Sequence, residues 1–145
     1  ISKVGDKIPI FDSALQVLSN GYTGKGDNND SIVTYGNFYH TKFLFTGDLE
    51  QEGEKELLKN YPKLKVDVLK VGHHGSKTSS NPDFIKEINP KLALISVGEK
   101  NRYGHPNQET LETLKKNQIR ILRTDQKGAL KLMQINQQWR IQTVR

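Results

Sequence analysis

Two adjacent histidines follow a short apolar run in the segment V-L-K-V-G-H-H-G-S-K-T, Val68 to Thr78. Neighbouring residues at a strand end point in different directions, so we expect His73 and His74 to have different tasks. One imidazole can bind a metal ion while the other orients a water, a second ion or a substrate phosphate. The segment therefore predicts a site that combines a metal ligand with a second functional histidine.

A carboxylate and a third histidine follow two other apolar runs. Asp48 comes directly after F-L-F-T-G, and His105 closes the loop that follows A-L-I-S-V-G. In α/β sheets, ligands bind at the carboxyl ends of the strands. One carboxylate and two or three imidazoles suit Zn²⁺ or Mn²⁺, and an aspartate can bridge two such ions. We therefore expect Asp48, His73 and His74 to be metal ligands, with His105 close by.

The loops after these strands carry hydroxyl groups, cations and amides. Such groups suit the oxygens of a phosphate, although a polar loop leading into a helix cap is the alternative for the segment after the histidines. Asp48 taken alone is also open to a helix-capping role, and His40 is expected to be an ordinary residue of a hairpin strand. The predicted phosphate-binding residues are Ser76, Lys77, Thr78, Asn101, Arg102 and Tyr103.

The apolar runs that position these residues alternate with helical patterns. Two runs on either side of Gly36-Asn37 predict a hairpin, and the later runs fit strands buried on both faces. The amides of Asn81 and Asn107 fit caps at the start of two helices. Strand, helix, strand, helix, strand is an α/β layout, and a final antiparallel hairpin follows it. The predicted strands include Ser31 to Tyr35, Lys42 to Thr46, Val66 to Val71, Leu92 to Val97 and Ile119 to Arg123.

The composition bounds the classes of protein to which the chain can belong. Its 145 residues, 34% of them hydrophobic, are enough for one compact domain. The net charge of +6 is compatible with a polyanionic partner and also with an ordinary protein surface. The sequence has no cysteine, so any metal must be bound by histidine and carboxylate. No apolar stretch approaches the ~18 residues of a membrane-spanning helix.

Three segments, in chain order, carry a resemblance to a known family. They are T-G-D-L-E at Thr46 to Glu50, D-V-L-K-V-G-H-H-G-S-K-T-S-S at Asp67 to Ser80, and I-S-V-G-E-K-N-R-Y-G-H-P at Ile95 to Pro106. Together with R-T-D-Q-K-G-A-L at Arg123 to Leu130, they resemble the metallo-β-lactamase-fold domain at the C-terminal end of ComEC-type competence proteins. The resemblance runs from about Ile1 to Leu132.

The resemblance implies the αββα sandwich, in which two sheets pack face to face between helices and the metals lie at one edge. It also implies that Asp48 is the bridging carboxylate, that His73 or His74 is the late metal ligand, and that His105 lies close to the scissile phosphate. Asp48, His73, His74 and His105 are then the catalytic residues. The implied activity is metal-dependent, DNase-like hydrolysis of phosphodiester bonds, with Zn²⁺ or Mn²⁺ as cofactor.

The resemblance also implies a cellular context. The partners would be DNA, as a single strand or an incoming duplex, and the remainder of a longer chain that includes a membrane channel. The chain would be a soluble domain of a cell-membrane protein on the extracytoplasmic side. Two other functions stay open. One is a related metallo-hydrolase acting on another phosphoester or ester, and the other is a DNA-binding or scaffold domain without catalysis.

One expected motif is missing from the sequence. The main metal motif of the family, a His-x-His-x-Asp-His-like run or its Asp-containing variant, does not occur in the 145 residues. We therefore expect residues 1–145 to be a single partial domain, the C-terminal half of the sandwich, with one mixed sheet and flanking helices. In this half alone we expect a weak or empty metal site and no activity. Without its partner sheet, the apolar sheet face should be covered by a second copy or by rearranged helices.

Overall fold

The computed structural model describes residues 3–136 and 138–144 of the chain, so residues 1 and 2, where the resemblance begins, lie outside the described part. Among the described residues, no helix has both the length and the apolar character that a membrane crossing needs. The strands are β1 Lys7–Ile10, β2 Ser13–Asn20, β3 Ile32–Phe38, β4 Thr41–Phe45, β5 Val68–Lys70, β6 Leu92–Ile95, β7 Arg120–Arg123, β8 Ala129–Ile135 and β9 Gln138–Val144. The helices are α1 Gln51–Asn60, α2 Pro82–Ile88, α3 Gln108–Lys116 and the single turn α4 Thr124–Lys127.

The first seven strands form one mixed sheet, and their order in space equals their order along the chain. Strands β1 to β4 pair antiparallel, whereas β4 to β7 pair parallel. A parallel pair needs a crossover connection, and α1, α2 and α3 lie in the three crossovers in turn. The predicted α/β class, with one large mixed sheet and flanking helices, is confirmed.

One face of the sheet is buried beneath these three helices. Leu44, Leu69 and Ala93 are register partners on β4, β5 and β6, and they belong to the same buried cluster as the helix side chains. Burying a leucine or phenylalanine side chain contributes ~1.5–3 kcal/mol each. The cluster therefore fixes the parallel strands, and with them the loops at their ends. The helix side chains in it are Leu57, Phe84, Ile85, Ile88 and Leu114.

Two helices begin at the caps that the sequence predicts. Oδ1 of Asn81 accepts a hydrogen bond from the backbone N–H of Asp83 at 2.9 Å. Oδ1 of Asn107 accepts one from the backbone N–H of Glu109 at 3.1 Å. Such caps satisfy backbone donors that the first helical turn leaves unpaired. The starts of α2 and α3 were therefore readable from local residues alone.

The hairpin of β3 and β4 turns farther along the chain than the sequence predicts. Strand β3 continues through Gly36, which is buried and where a Cβ would lie 2.3 Å from the ring of Phe38. The turn consists of Tyr39 and His40, whose φ angles of 49° and 63° are those of a two-residue hairpin turn. The prediction of a turn at Gly36-Asn37 was wrong because this glycine makes room for an aromatic ring. His40 likewise lies in an exposed turn and not in a strand.

The second sheet is the hairpin of β8 and β9, which packs against the face of the large sheet opposite the helices. Trp139 meets Phe43 edge to face, with ring centroids 5.4 Å apart. Its indole N–H donates to Oγ1 of Thr41 at 2.6 Å. Phe43 precedes Leu44 in β4 and so points to the opposite face. A hairpin of the chain itself thus covers part of the face for which we expected a second copy or rearranged helices, and self-association stays a prediction.

Candidate active site

The carboxyl ends of β4, β5 and β6 meet at one edge of the sheet, because these strands pair in parallel register. Strand β4 leads to Asp48, β5 leads to His73 and His74, and β6 leads to the loop that ends at His105. The rings of His73 and His105 have centroids 5.7 Å apart, and His74 lies beside Asp48. The structure therefore brings together the four side chains that we predicted as catalytic residues.

His74 is held with one ring nitrogen directed toward Asp48. Its Nδ1 lies 2.7 Å from the backbone carbonyl oxygen of Ser96. Since a carbonyl oxygen only accepts, Nδ1 carries a proton and donates, and in the neutral imidazole Nε2 then has a free lone pair. Nε2 lies 3.9 Å from Oδ1 of Asp48, and both side chains are about half exposed, at 48% and 44%. A nitrogen lone pair and a carboxylate oxygen thus face the same accessible space.

His73 has a different set of partners, centred on Glu50. Its Nδ1 lies 3.2 Å from Oε1 of Glu50. The same Oε1 accepts hydrogen bonds from Oγ1 of Thr78 at 2.8 Å and from Nδ2 of Asn28 at 3.1 Å. Burial works to raise the pKa of Glu50, but the hydrogen bonds from Asn28 and Thr78 and the neighbouring His73 hold it below its usual value. An ionised carboxylate accepts a hydrogen bond from Nδ1–H of His73, so Nε2 of this ring is available to another partner.

The two histidines lie in a strained turn after the strand. In the turn Gly72–Gly75, His73 and His74 have φ angles of 45° and 54°, in the left-handed region. This left-handed conformation costs ~1–2 kcal/mol for each residue with a side chain. Strain of this kind persists where the surrounding structure imposes it, and functional sites are its usual location. In this turn the two rings are 6.4 Å apart at 61° to each other, and they have separate partners.

His105 lies on the other side of His73, in the loop after β6. The side chain of Asn101 closes this loop, because it donates to the carbonyl of His105 at 2.8 Å and accepts from its N–H at 2.9 Å. Burial lowers the pKa of the His105 imidazole, and His73 and His74 lower it further. Its Nδ1 is buried without a hydrogen-bond partner in the described part of the chain. An imidazole with one unpaired, buried nitrogen therefore lies next to His73.

The residues predicted to bind phosphate lie in two loops around this edge. Ser76 is buried, and its hydroxyl oxygen lies 3.1 Å from Oγ1 of Thr78. Lys77 is exposed, and its backbone carbonyl accepts a hydrogen bond from Nε2 of Gln51 at 3.1 Å. The hydroxyl groups of this loop are thus bonded within the protein, while the cation faces solvent. In the second loop, Asn101 is half-buried and both Arg102 and Tyr103 are exposed.

Two site residues, Glu50 and Asn28, were missed by the sequence analysis. The segment T-G-D-L-E did contain a signal for Glu50, because it places two acidic side chains, two positions apart, directly after a strand. Asn28 lies in the loop between β2 and β3, where its neighbour Asn29 accepts hydrogen bonds from the N–H groups of Glu50 and Gly53, both at 3.1 Å. That loop therefore caps α1 and fixes Glu50, which no local pattern could indicate.

A half-buried cation near Asp48, Lys70, was also missed. The ammonium group of Lys70 donates to the backbone carbonyl of Gly47 at 3.0 Å. Burial lowers the pKa of Lys70, and Asp48 acts in the opposite direction. Lys70 lies within β5, where the sequence pattern indicated only a buried strand. Its contact holds the residue that precedes Asp48 and places positive charge close to this carboxylate.

The donor atoms of Asp48 and His74 fit a divalent metal ion as two members of a ligand set. Their separation of 3.9 Å is below the sum of a Zn–N and a Zn–O bond, ~4.1 Å, so one ion can reach both atoms, and a tetrahedral angle requires them to move closer together. Metal-binding histidines almost always donate their other ring N–H to a carbonyl or carboxylate, as His74 does to Ser96. Within residues 3–136 and 138–144, no group of three or more His, Asp or Glu side chains is arranged to hold an ion. Further ligands are needed for a complete site.

Comparison with known proteins gives matches along most of the chain. The family model of the metallo-beta-lactamase superfamily matches residues 3–99. ComE operon protein 3 of Bacillus subtilis is 46% identical over 129 residues, which are 88% of this chain and 17% of that protein. Competence protein ComA of Neisseria gonorrhoeae is 39% identical over 105 residues, 72% of this chain and 15% of that protein. Recombination protein 2 of Haemophilus influenzae is 30% identical over 132 residues, 90% of this chain and 16% of that protein. The chain therefore spans about a sixth of the length of these curated relatives.

Proposed function

Because the chain belongs to the metallo-beta-lactamase superfamily, whose members usually bind divalent metal ions, we propose that it is part of a metal-dependent phosphodiester hydrolase acting on DNA. The names of two relatives refer to competence and to recombination, and this supports DNA as the substrate and DNA uptake as the process. In this proposal the 145 residues form one half of the catalytic domain, and other parts of the protein provide the remaining metal ligands.

The observation that carries the proposal is the arrangement of His74. Its Nδ1 proton is bound by the carbonyl of Ser96, and its Nε2 faces Oδ1 of Asp48 at 3.9 Å. This arrangement supports the proposal that the two side chains, at adjacent strand ends, act as ligands of one ion. The alternative role of Asp48, as a helix cap, is less well supported, because Asn29 from another loop caps α1.

The chemistry divides between two groups of side chains. A bound divalent ion lowers the pKa of its water toward ~7 and neutralises charge on a phosphate, and Asp48 and His74 would hold it. His73 presents Nε2 to the substrate, because Glu50 occupies its Nδ1. His105, whose pKa is lowered chiefly by burial, would exchange a proton with an oxygen of the substrate. Lys77 and Arg102 are exposed cations that would meet adjacent phosphates.

The proposal includes the cellular context that the resemblance to ComEC-type competence proteins implies. The partners are DNA and the rest of a longer chain with a membrane channel, and the domain belongs to a cell-membrane protein on the extracytoplasmic side. The metal is Zn²⁺ or Mn²⁺, since the available donors are imidazole and carboxylate. The net charge of +6 is favourable for a polyanionic substrate.

The test compares Asp48→Asn with Asp12→Asn in the whole protein to which these residues belong. Asp12 is exposed in the turn between β1 and β2, away from the carboxyl ends of β4 and β5. We expect Asp48→Asn to lower both the bound Mn²⁺ and the hydrolysis of DNA and of bis(p-nitrophenyl) phosphate by at least ~10-fold. Asp12→Asn should resemble the parent in metal content and in turnover.

Three results would contradict the proposal in different ways. Activity of Asp48→Asn within about threefold of the parent, less than ~1.4 kcal/mol of barrier, would remove Asp48 from the metal site. Hydrolysis of small phosphoesters or esters without hydrolysis of DNA would indicate the related metallo-hydrolase. DNA binding by a parent protein that hydrolyses nothing in Mn²⁺ or Zn²⁺ would indicate a binding or scaffold domain.

A further inference from the structure

Tyr103 lies in the loop after β6 with most of its side chain in solvent. It is 83% exposed, and its ring is nearly parallel to that of His105, at 20° and with centroids 6.0 Å apart. The ring of His105 in turn lies 5.7 Å from that of His73. An accessible aromatic ring is therefore one ring away from the imidazoles of the candidate active site.

The loop that carries Tyr103 is held by hydrogen bonds of its own. The side-chain amide of Asn101 donates to the carbonyls of Gly98 at 3.2 Å and His105 at 2.8 Å. Its Oδ1 accepts the backbone N–H of His105 at 2.9 Å. The next residue, Pro106, is buried and packs on Gly75 of the histidine turn. The position of Tyr103 relative to the histidines is thus fixed by the backbone, while the ring itself stays accessible.

The side chains on either side of Tyr103 are cationic. Lys100 and Arg102 are exposed, and neither forms an ion pair with a carboxylate among the residues that the structure describes. Glu99 is an exposed carboxylate in the same loop. Cations that meet the phosphates and an aromatic ring on which a base stacks are the combination that binds single-stranded nucleic acids. Within a duplex the base faces are covered by neighbouring base pairs, so away from duplex ends only an unpaired base can stack on this ring.

We propose that Tyr103 forms a stacking site for the base of an unpaired nucleotide whose phosphate lies at His73 and His105. The inference rests on the proposed function and deepens it, since it names single-stranded nucleic acid as the form of substrate that this loop binds. Every base has an aromatic face, so the site has little sequence preference. The hydroxyl group of Tyr103 has no part in the contact.

The test measures binding without metal, in EDTA, using the whole protein to which these residues belong. The probe is an oligodeoxythymidylate of ~12 nucleotides that carries a single 2-aminopurine, whose fluorescence falls when it stacks. We expect Tyr103→Ala to raise the Kd roughly 5- to 100-fold and to abolish the quenching, because stacking on one aromatic residue contributes that much. Tyr103→Phe should bind and quench like the parent. Tyr39→Ala, which removes an exposed ring at the opposite end of the sheet, should also bind like the parent.

Other results would overturn the inference. An equal loss of affinity for a covalently closed circular duplex, which has no exposed base faces, would mean that Tyr103 contacts the backbone and not a base. Loss of binding in Tyr103→Phe would assign the contact to the hydroxyl group. A Kd of Tyr103→Ala within twofold of the parent, or a parent that does not bind the oligonucleotide, would remove the stacking site.

Different measurements test the proposed function and this inference, so one can be contradicted without the other. Hydrolysis of bis(p-nitrophenyl) phosphate by the metal-loaded parent, a substrate without a nucleobase, tests the first. Binding and quenching in EDTA test the second. A parent that hydrolyses the small substrate but shows no stacking would contradict only the role of Tyr103. A parent that stacks the oligonucleotide but hydrolyses nothing would contradict only the proposed hydrolase.

Discussion

Oε1 of Glu50 lies 3.2 Å from Nδ1 of His73, although the two residues follow different strands and are 23 positions apart. The carboxylate also binds Thr78 and Asn28, so it is held from three directions. This contact selects the form of the His73 imidazole in which Nδ1 carries the proton and Nε2 is free. Glu50 therefore acts on the proposed chemistry through His73, as a positioning residue.

We predict that Glu50→Ala changes the tautomer of His73. The ¹⁵N chemical shifts of the imidazole should show a protonated Nδ1 in the parent and a mixture of both forms in the variant, because the acceptor is gone. Hydrolysis should fall ~10- to 100-fold, the usual effect of removing such a partner. Glu50→Gln, which keeps an acceptor oxygen, should largely restore the tautomer. Glu52→Ala, an exposed acid in the same helical turn, is the control. An unchanged imidazole spectrum in Glu50→Ala would show that the contact does not set the tautomer.

We predict unequal effects for the two adjacent histidines. His74→Ala should lower bound Mn²⁺ and turnover together, since Nε2 of His74 faces Asp48. His73→Ala should keep most of the metal and lose turnover, since its Nδ1 is occupied by Glu50. Metal analysis of the purified variants and their rates on DNA decide the question. An equal loss of bound metal in both variants, or the metal content of the parent in both, would contradict the unequal roles of the two histidines.

Gly75→Ala should destabilise the histidine turn. Gly75 has a φ angle of +81°, and a Cβ there would lie 2.6 Å from Cβ and 3.2 Å from Cα of Pro106. Left-handed strain and overpacking each cost ~1–3 kcal/mol, so we expect urea unfolding to show a loss of ~2 kcal/mol or more. Gly24→Ala is the matched control, because Gly24 has a φ angle of +65° but no atom within 4 Å of its added Cβ. Equal losses in the two variants would show that the packing on Pro106 is not a constraint.

The stability of the chain should depend on pH through Glu54. This side chain is buried and accepts backbone hydrogen bonds from Ser80 at 2.6 Å and Asn81 at 2.8 Å. Burial raises the pKa of Glu54 from 4.5 to about 7, while the two hydrogen bonds act to lower it. The folded chain then binds a proton more readily than the unfolded chain, so this stabilisation is complete below pH 4.5 and is lost as the pH rises through about 7.

The measurement for Glu54 is urea unfolding between pH 5 and 8, for the parent and for Glu54→Gln, whose side chain cannot ionise. We expect the parent to lose unfolding free energy relative to Glu54→Gln as the pH rises. The difference between the two should change by up to about 3 kcal/mol in favour of the variant. Glu52→Gln should run parallel to the parent, since Glu52 is exposed. A difference that shrinks with rising pH would show that the hydrogen bonds from Ser80 and Asn81 outweigh burial.

The parts of the fold that the sequence predicted are those that depend on neighbouring residues. Asn81 and Asn107 each cap a helix by accepting a hydrogen bond from the backbone N–H two residues later in the chain. The apolar runs around Leu69 and Ala93 form buried strands. Such features follow from backbone conformation and local apolar pattern, so a window of a few residues contains their cause. The convergence of three strand ends was also predictable, because parallel strands end at the same edge of a sheet.

The parts that the sequence did not predict depend on residues far apart in the chain. Asn29 caps α1 from the loop between β2 and β3, and Trp139 binds Thr41 across 98 positions. The signal at Gly36-Asn37 was local but was overridden, because the ring of Phe38 occupies the space beside Gly36. No window around Glu50 could show that its partner is His73. These contacts arise only when the tertiary structure has formed.

The order of the large sheet also bears on how the chain folds during synthesis. Each of β2 to β7 pairs with the strand that precedes it in the sequence, so every new strand finds its partner among residues that have already left the ribosome. No strand has to be inserted between two earlier ones. Each new pairing closes only the loop between two consecutive strands, which keeps the entropy cost of loop closure low. The sheet can therefore grow strand by strand from β1 toward β7, with one growing edge available to other nascent chains at any time.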